Sequence, residues 1–257
     1  MPNTRNLKIT LAYDGTGFLG WQTQSEGRTV QSTLEDALGK LFGHKARTIA
    51  SGRTDTGVHA LGQVVNVHTD SRIPVQGLLR ALNAALHGEI SIISVEEAPE
   101  NFHARFMAKS KKYVYIIDTS PVPSPFIARY ALHVDGWLDI SAMKMSTAYI
   151  LGEHDFSAFM GTGSSVKTTQ RKIFSAEIFS RGPSIFFYIQ GSGFLRHMVR
   201  NIVGTMLMIG KGKLPADDMG RILDGRDRSC AGPTAPPHGL YLIGVDYGDN
   251  HSVINGI

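Results

Sequence analysis

Residues 46–69 read ARTIASGRTDTGVHALGQVVNVHT, and the fold turns on how they divide. The two ends, about 46–51 and 63–69, carry the β-branched and apolar residues of strands, and a glycine-bounded loop, SGRTDTGVHALG, joins them. Upstream, LKITLAY at 7–13 reads as a strand. Thr29 then opens a helix whose apolar positions Val30, Leu34, Ala37, Leu38, Leu41 and Phe42 follow helical spacing. Downstream come a helix near 75–87 and a strand near 90–96. The order is βαββαβ.

That order predicts a mixed α+β fold of the ferredoxin-like, split βαβ kind, with two helices on one face of a four-stranded antiparallel sheet and the other face free. The rest of the chain reads the same way. A strand at 113–118, a helix at 139–150, strands at 172–179 and 185–190, a helix at 194–209 and a strand at 240–247 repeat the order, with insertions at 119–138 and 211–238. Two similar halves are therefore expected, 1–104 and 105–257.

The 257 residues, 42% hydrophobic and 19% charged, suffice for a full core and are far from a disordered or collagen-like composition. Lys plus Arg number 26 against 22 Asp plus Glu, a net charge of +4, and the pI is about 9.2. Such a balance permits a nucleic-acid partner without demanding one. A single cysteine, Cys230, excludes an internal disulfide framework and a Cys-rich zinc site, and fits a reducing cytoplasm. MPNTRNLKITLAYDG lacks the apolar run of a signal peptide, and the longest apolar stretch, about 202–209, is too short to span a bilayer, so no membrane role is expected.

Gly15-Thr16-Gly17-Phe18-Leu19-Gly20 matches the dinucleotide fingerprint G-x-G-x-x-G by letter. That mechanism requires a helix to start at the glycines, whereas here Trp21–Gly27 is loop-like and the helix waits until Thr29. No P-loop, H-E-x-x-H helix or G-x-S-x-G elbow is present, and His59, His103 and His154 read as hydrogen-bonded or surface histidines.

In the central loop, Arg53 and Asp55 lie between Gly52 and Gly57. An aspartate beside glycine is ordinary turn chemistry. The same glycines would also hold an exposed loop that presents Asp55 for catalysis and Arg53 for a phosphate or a displaced base. Lys109-Ser110-Lys111-Lys112 feeds a strand whose Tyr113 and Tyr115 share one face, so Lys111 and Lys112 could meet phosphates and the tyrosines could stack on bases; a solvated basic turn explains them equally. On the 194–209 helix, Leu195, Met198, Val199, Ile202, Val203 and Met206 form a buried stripe with Arg196 and Arg200 one turn apart beside it. Arg200 at the rim either snorkels to water or pairs with a carboxylate, for which Asp55 is a candidate.

Together these segments resemble the tRNA pseudouridine synthase A family from about residue 8 to 247. The blocks in family order are Tyr13-Asp14-Gly15-Thr16 with Phe18, Gly20-Trp21-Gln22, Arg28-Thr29-Val30-Gln31, Gly52-Arg53-Thr54-Asp55, Gly57-Val58-His59-Ala60, Phe102-His103-Ala104-Arg105-Phe106, His154-Asp155-Phe156, Met198–Gly204 and Gly239-Leu240-Tyr241-Leu242. Thr56, where the family commonly has alanine, His87, where a proline is usual, and Pro237 beside Pro236 depart from the pattern.

The resemblance implies two ferredoxin-like halves sharing a central sheet, with an active-site cleft between them. It implies isomerisation of uridine to pseudouridine at positions 38, 39 and 40 of the tRNA anticodon stem-loop by a cytoplasmic homodimer that needs no cofactor and no metal. Asp55 becomes the catalytic carboxylate, either a nucleophile at C1′ or a base toward a ribose proton. Arg200 becomes its ion-pair partner, Tyr113 the stacking tyrosine that helps remove the C5 proton, and Arg53 the residue filling the gap left by the flipped nucleotide. Leu240, Lys111 and Lys112 join the substrate-binding set. A non-catalytic RNA-binding module with an open sheet face is the alternative, and a nucleotide-dependent oxidoreductase rests on the glycine loop alone.

Overall fold

The computed structural model describes residues 4–248 apart from 87, 164 and 165, so the departure at His87 lies outside the described residues. The chain forms two compact units: one comprises the residues up to Lys109 together with those from Tyr241 onward, the other Ser110–Leu240. The sequence reading divides the chain once, after 104; the compact units divide it after Lys109 and return the last strand to the first unit.

In unit 1, β1 (Arg5–Tyr13) is followed by α1 (Val30–Phe42), β2 (Thr48–Ala50), β3 (His59–Thr69), α2 (Val75–Ala85) and β4 (Ile90–Ala98). The order βαββαβ is the one read from the sequence. Thr29 caps α1 through a reciprocal box in which its hydroxyl accepts from the Ser32 N–H and the Ser32 hydroxyl accepts from its own N–H, each at 3.2 Å. Gly43, at φ 74, ends that helix in the left-handed region.

Strand β1 lies antiparallel between β3 and β4, with Ile9 opposite Val65 on one side and Val95 on the other. Its inward residues Leu7, Ile9 and Leu11 are fully buried with Val65, Val67, Leu34, Leu38, Leu78 and Leu82, which makes the helix-facing side of the sheet the core of this unit. Truncating one such leucine to alanine costs about 2–5 kcal/mol. The opposite face is partly covered. Asn6, which alternates with Leu7, donates to the Phe102 carbonyl at 2.8 Å, and Asn66 accepts from the Ala104 N–H at 2.9 Å.

One edge of β3 serves two partners. Near its far end β2 pairs antiparallel, with Ala50 opposite Val65; at its start the tenth strand pairs parallel, with Tyr241 opposite His59.

In unit 2, β5 (Ser110–Asp118), β6 (Leu132–His133), α3 (Ile140–Thr147), β7 (Gly152–Asp155), β8 (Gln170–Arg181), β9 (Ser184–Gly191), α4 (Met198–Gly210) and α5 (Asp218–Gly225) come before β10 (Leu240–Asp246), whose first residue belongs to this unit. The strands run β5-β9-β8-β7, all antiparallel, with β6 parallel to β5. Tyr115, Ile117, Phe187 and Ile189 are fully buried with Met143 of α3 and Ile202, Val203 and Met206 of α4.

Helix α4 begins four residues later than its apolar pattern predicts. His197 takes φ 59 and breaks the run, so Arg196 lies before the helix and donates to the Thr162 carbonyl at 2.9 Å instead of standing one helical turn from Arg200. Among the described residues no helix is long and apolar enough to cross a membrane.

Candidate active site

The 51–58 loop leaves β2 and enters β3, and a buried glutamine shapes its start. Gln63 Oε1 accepts from the Ser51 hydroxyl at 2.6 Å and from the Val64 N–H at 3.1 Å, while its amide donates to the Gly52 carbonyl at 2.9 Å. Every polar group of that side chain is thereby engaged in a site without access to water. Further along, Gly57 at φ 76 turns the chain, and the Val58 N–H closes back on the Asp55 carbonyl at 3.1 Å. Thr54 points inward and is buried, Asp55 is half-buried, and Arg53 and Thr56 are exposed.

Residues 13–21 form a mould against this loop. The Tyr13 and Thr54 hydroxyls lie 2.8 Å apart, and the Trp21 N–H donates to the Thr54 carbonyl at 3.1 Å. A side chain on Gly15 would put its Cβ 2.1 Å from the Val58 carbonyl oxygen; one on Gly20 would come within 2.8 Å of the Thr54 carbonyl oxygen, at φ 83. Those glycines are therefore required by close backbone approach. The letters of the dinucleotide fingerprint describe a support for the Asp55 loop: a single 3-10 turn spans Gly15–Gly17 and the helix starts only at Val30. Burial pushes the Tyr13 hydroxyl well above its ordinary range, against hydrogen bonds with Thr54 and Gln63, so it stays protonated.

His59 closes the mould. It is 2% exposed, its ring is stacked on Tyr241 with centroids 4.7 Å apart, and its Nδ1 lies 3.1 Å from both the Gly15 nitrogen and Asp14 Oδ1. Nδ1 accepts from Gly15 only when bare and donates to Asp14 only when protonated, so it makes one of the two hydrogen bonds at a time.

Unit 2 holds the remaining expected residues. Tyr113 is buried on β5, its ring edge-on to Phe194 at 5.1 Å. Lys111 and Lys112 stand on opposite faces of that strand, so only Lys111 shares the face of Tyr113. Arg200, in the first turn of α4, donates from Nε to the Ala235 carbonyl at 2.7 Å, while its own carbonyl accepts from the Ala235 N–H at 3.1 Å. Burial pushes the Tyr115 hydroxyl well above its ordinary range, and the Arg200 charge opposes that shift.

Tyr115 donates to the Pro236 carbonyl at 2.8 Å. Pro237 then opens a 3-10 turn, where its missing N–H costs nothing, and the turn delivers the buried Leu240. The proline pair that departs from the family pattern is thus accommodated locally.

Arg53 and Asp55 therefore sit on one loop of unit 1, and Tyr113, Arg200, Leu240, Lys111 and Lys112 belong to unit 2. The sequence reading named Tyr13, Gly15 and Gly20 in its motif blocks but missed their supporting role, and it missed Gln63. A signal for Tyr13 existed: the alternation Leu7, Ile9, Leu11 continues to it, and a buried hydroxyl requires a partner. Among the described residues no three His, Cys, Asp or Glu side chains gather as a metal site.

Comparison with known proteins agrees with the motif pattern. The profile of the family described as tRNA pseudouridine synthase matches residues 9–107 and 147–248. The chain is similar to tRNA pseudouridine synthase A of Caldicellulosiruptor bescii, 43% identical over 95% of this chain and 100% of that one. It is also similar to tRNA pseudouridine synthase A of Acetivibrio thermocellus, 45% identical over the same shares. Among solved structures, the archaeal box H/ACA sRNP Nop10-Cbf5 complex is similar with a TM-score of 0.36 and 12% identity over 78% of this chain and 43% of that one, too loose a likeness to bear on function.

Proposed function

The chain belongs to the tRNA pseudouridine synthase family, and from that membership we propose how its residues divide the reaction. The enzyme isomerises uridine to pseudouridine in tRNA. The C1′–N1 bond breaks, the uracil turns, C1′ bonds to C5, the C5 proton leaves and N1 gains one. Nothing is oxidised or reduced and no group is consumed.

We infer that Asp55 is the carboxylate of the bond-breaking step, acting either at C1′ as a nucleophile or on a ribose proton as a base. The observation that carries this is the mould of Tyr13, Gly15, Gly20 and Trp21, which fixes Thr54 and Val58 on either side of a half-buried Asp55. A turn aspartate needs no such support. Arg53, exposed on the same loop, fills the place of the displaced nucleotide and offsets part of the few kcal/mol of unstacking.

From unit 2, Tyr113 stacks on the uracil and takes part in removal of the C5 proton, and Leu240 lines the base site. Arg200 supplies a cation for the catalytic carboxylate, an assignment that rests on the Met198–Gly204 motif. Lys111 and Lys112 meet phosphates. We place the substrate uridines at positions 38, 39 and 40 of the anticodon stem-loop, and infer a homodimer that works in the cytoplasm without cofactor or metal.

The test is single-turnover conversion of unmodified tRNA at saturating enzyme. Asp55→Asn and Asp55→Ala should fold, bind tRNA about as tightly as the parent and make no detectable pseudouridine. An Asp55→Asn rate within about tenfold of the parent, a loss of about 1.4 kcal/mol in barrier, would remove Asp55 from the chemistry. Tight binding without conversion by the parent itself would favour the RNA-binding module.

A further inference from the structure

We propose that the turn carrying Arg105 and Phe106 is an additional RNA contact, in which the Phe106 ring stacks on an unpaired base and the Arg105 guanidinium meets a neighbouring phosphate. This rests on tRNA as the substrate.

The turn is held from beneath by buried polar groups. Asn6 donates to the carbonyls of Pro99 at 3.0 Å and Phe102 at 2.8 Å, and Asn66, itself bonded to Asn6 at 3.0 Å, accepts from the Ala104 N–H at 2.9 Å. The Tyr247 hydroxyl donates to the Ala104 carbonyl at 2.7 Å, and its ring lies 5.1 Å from that of Phe102. Phe102 and Ala104 are buried and do the anchoring; Phe106 is 77% exposed and Met107 43%.

The turn is also fixed within itself. His103 Nδ1 accepts from the N–H groups of Arg105 at 3.2 Å and Phe106 at 3.3 Å, and the Met107 N–H returns to the His103 carbonyl at 3.1 Å. The His103 ring backs the Phe106 ring with centroids 4.2 Å apart and planes 30° apart, and the Arg105 guanidinium lies 5.8 Å from the same ring. Phe106 is thus backed by His103 while most of the residue stays exposed.

A ring anchored in one plane and left open contributes little to its own fold, yet it is ordered before any partner arrives. Unpaired RNA bases stack on such rings, and an adjacent arginine suits the phosphate that accompanies each base. A contact between protein copies would favour a ring packed against other apolar side chains, whereas the groups set against this ring are those of His103 and Arg105, with Met107 the exposed apolar residue next to it in the turn.

The experiment compares Phe106→Ala, Phe106→Trp and Arg105→Ala in the full chain. It reads tRNA dissociation constants across a salt series, single-turnover rates at saturating enzyme, and sedimentation. Phe106→Ala should weaken binding roughly tenfold with the salt slope unchanged, and Phe106→Trp should restore it. Arg105→Ala should weaken binding and reduce the salt slope by about one. The losses should fall on affinity, with little change in the saturated rate. Binding by Phe106→Ala within twofold of the parent would overturn the proposal, as would a Phe106→Ala protein whose loss of binding follows dissociation into smaller species. A parent that binds tRNA without converting uridine would remove the catalytic reading and leave the Phe106 comparison in force.

Discussion

The hydroxyls of Tyr13 and Thr54 lie 2.8 Å apart, joining the end of β1 to the residue that precedes Asp55. Both side chains are buried, so the pair orients the loop from below. Tyr13→Phe keeps the ring and removes the bond, leaving the Thr54 hydroxyl without this partner at a cost of about 1–3 kcal/mol. We expect a single-turnover rate about tenfold below the parent with tRNA affinity retained. A parent-like rate in a protein of lowered stability would show that the pair holds the fold and does not position Asp55.

Gly15 and Gly43 separate two reasons for glycine. An added Cβ at Gly15 would meet the Val58 carbonyl oxygen at 2.1 Å, whereas at Gly43, with φ 74, nothing lies within 4 Å. Gly43→Ala should therefore cost only about 1 kcal/mol, the strain of its left-handed conformation, and leave turnover intact. Gly15→Ala must push the Asp55 loop outward, and we expect a stability loss of about 3 kcal/mol together with loss of turnover, read by urea unfolding and tRNA conversion. Equal effects at the two positions would contradict the mould.

Arg200 and Asp55 are best tested as a pair. Arg200→Met should leave little activity, and if its charge acts through the carboxylate, adding Asp55→Asn should lower the single-turnover rate no further. Independent, multiplying losses would assign Arg200 a separate role, such as holding Ala235 through its Nε.

Asp155 supplies a pH signature. Hydrogen bonding from the Thr169 hydroxyl first, and then from Ser157, holds its carboxyl below the usual 3.8, despite partial burial. A depressed folded-state value means that the ionised carboxylate stabilises the protein above the ordinary value, and that this contribution is lost as pH falls through the folded-state value below 3.8. The stability gap between the parent and Asp155→Asn, from urea midpoints, should be widest near neutrality and close under acid. A gap independent of pH would mean that the charge contributes nothing.

The first half of the chain was legible because its signals agree. The LKITLAY alternation, the Thr29 cap and the paired strands around SGRTDTGVH each match an element of unit 1. Helix α4 was begun four residues too early because the apolar stripe continues through Leu195 while His197 adopts a left-handed conformation that composition does not announce. Strands β6 and β7, of two and four residues, are too short to show a period. The Asp55 loop was found through its glycines and charges, but its mould was not, because Tyr13 reaches it through its hydroxyl, and Gly15 and Trp21 through backbone contacts, between segments far apart in sequence.

The shared edge of β3 sets an order of assembly that runs against the order of synthesis. Tyr247 reaches Ala104 across 143 residues, and Tyr241 stacks on His59 at the foot of the Asp55 loop. Unit 1, although begun first, lacks its last strand until nearly all of unit 2 has left the ribosome. Contacts of such long sequence separation form late, after their loop-closure entropy has been met. A chain released before Tyr241 would carry Arg53 and Asp55 on an unclosed sheet, so competence waits on a strand made after unit 2.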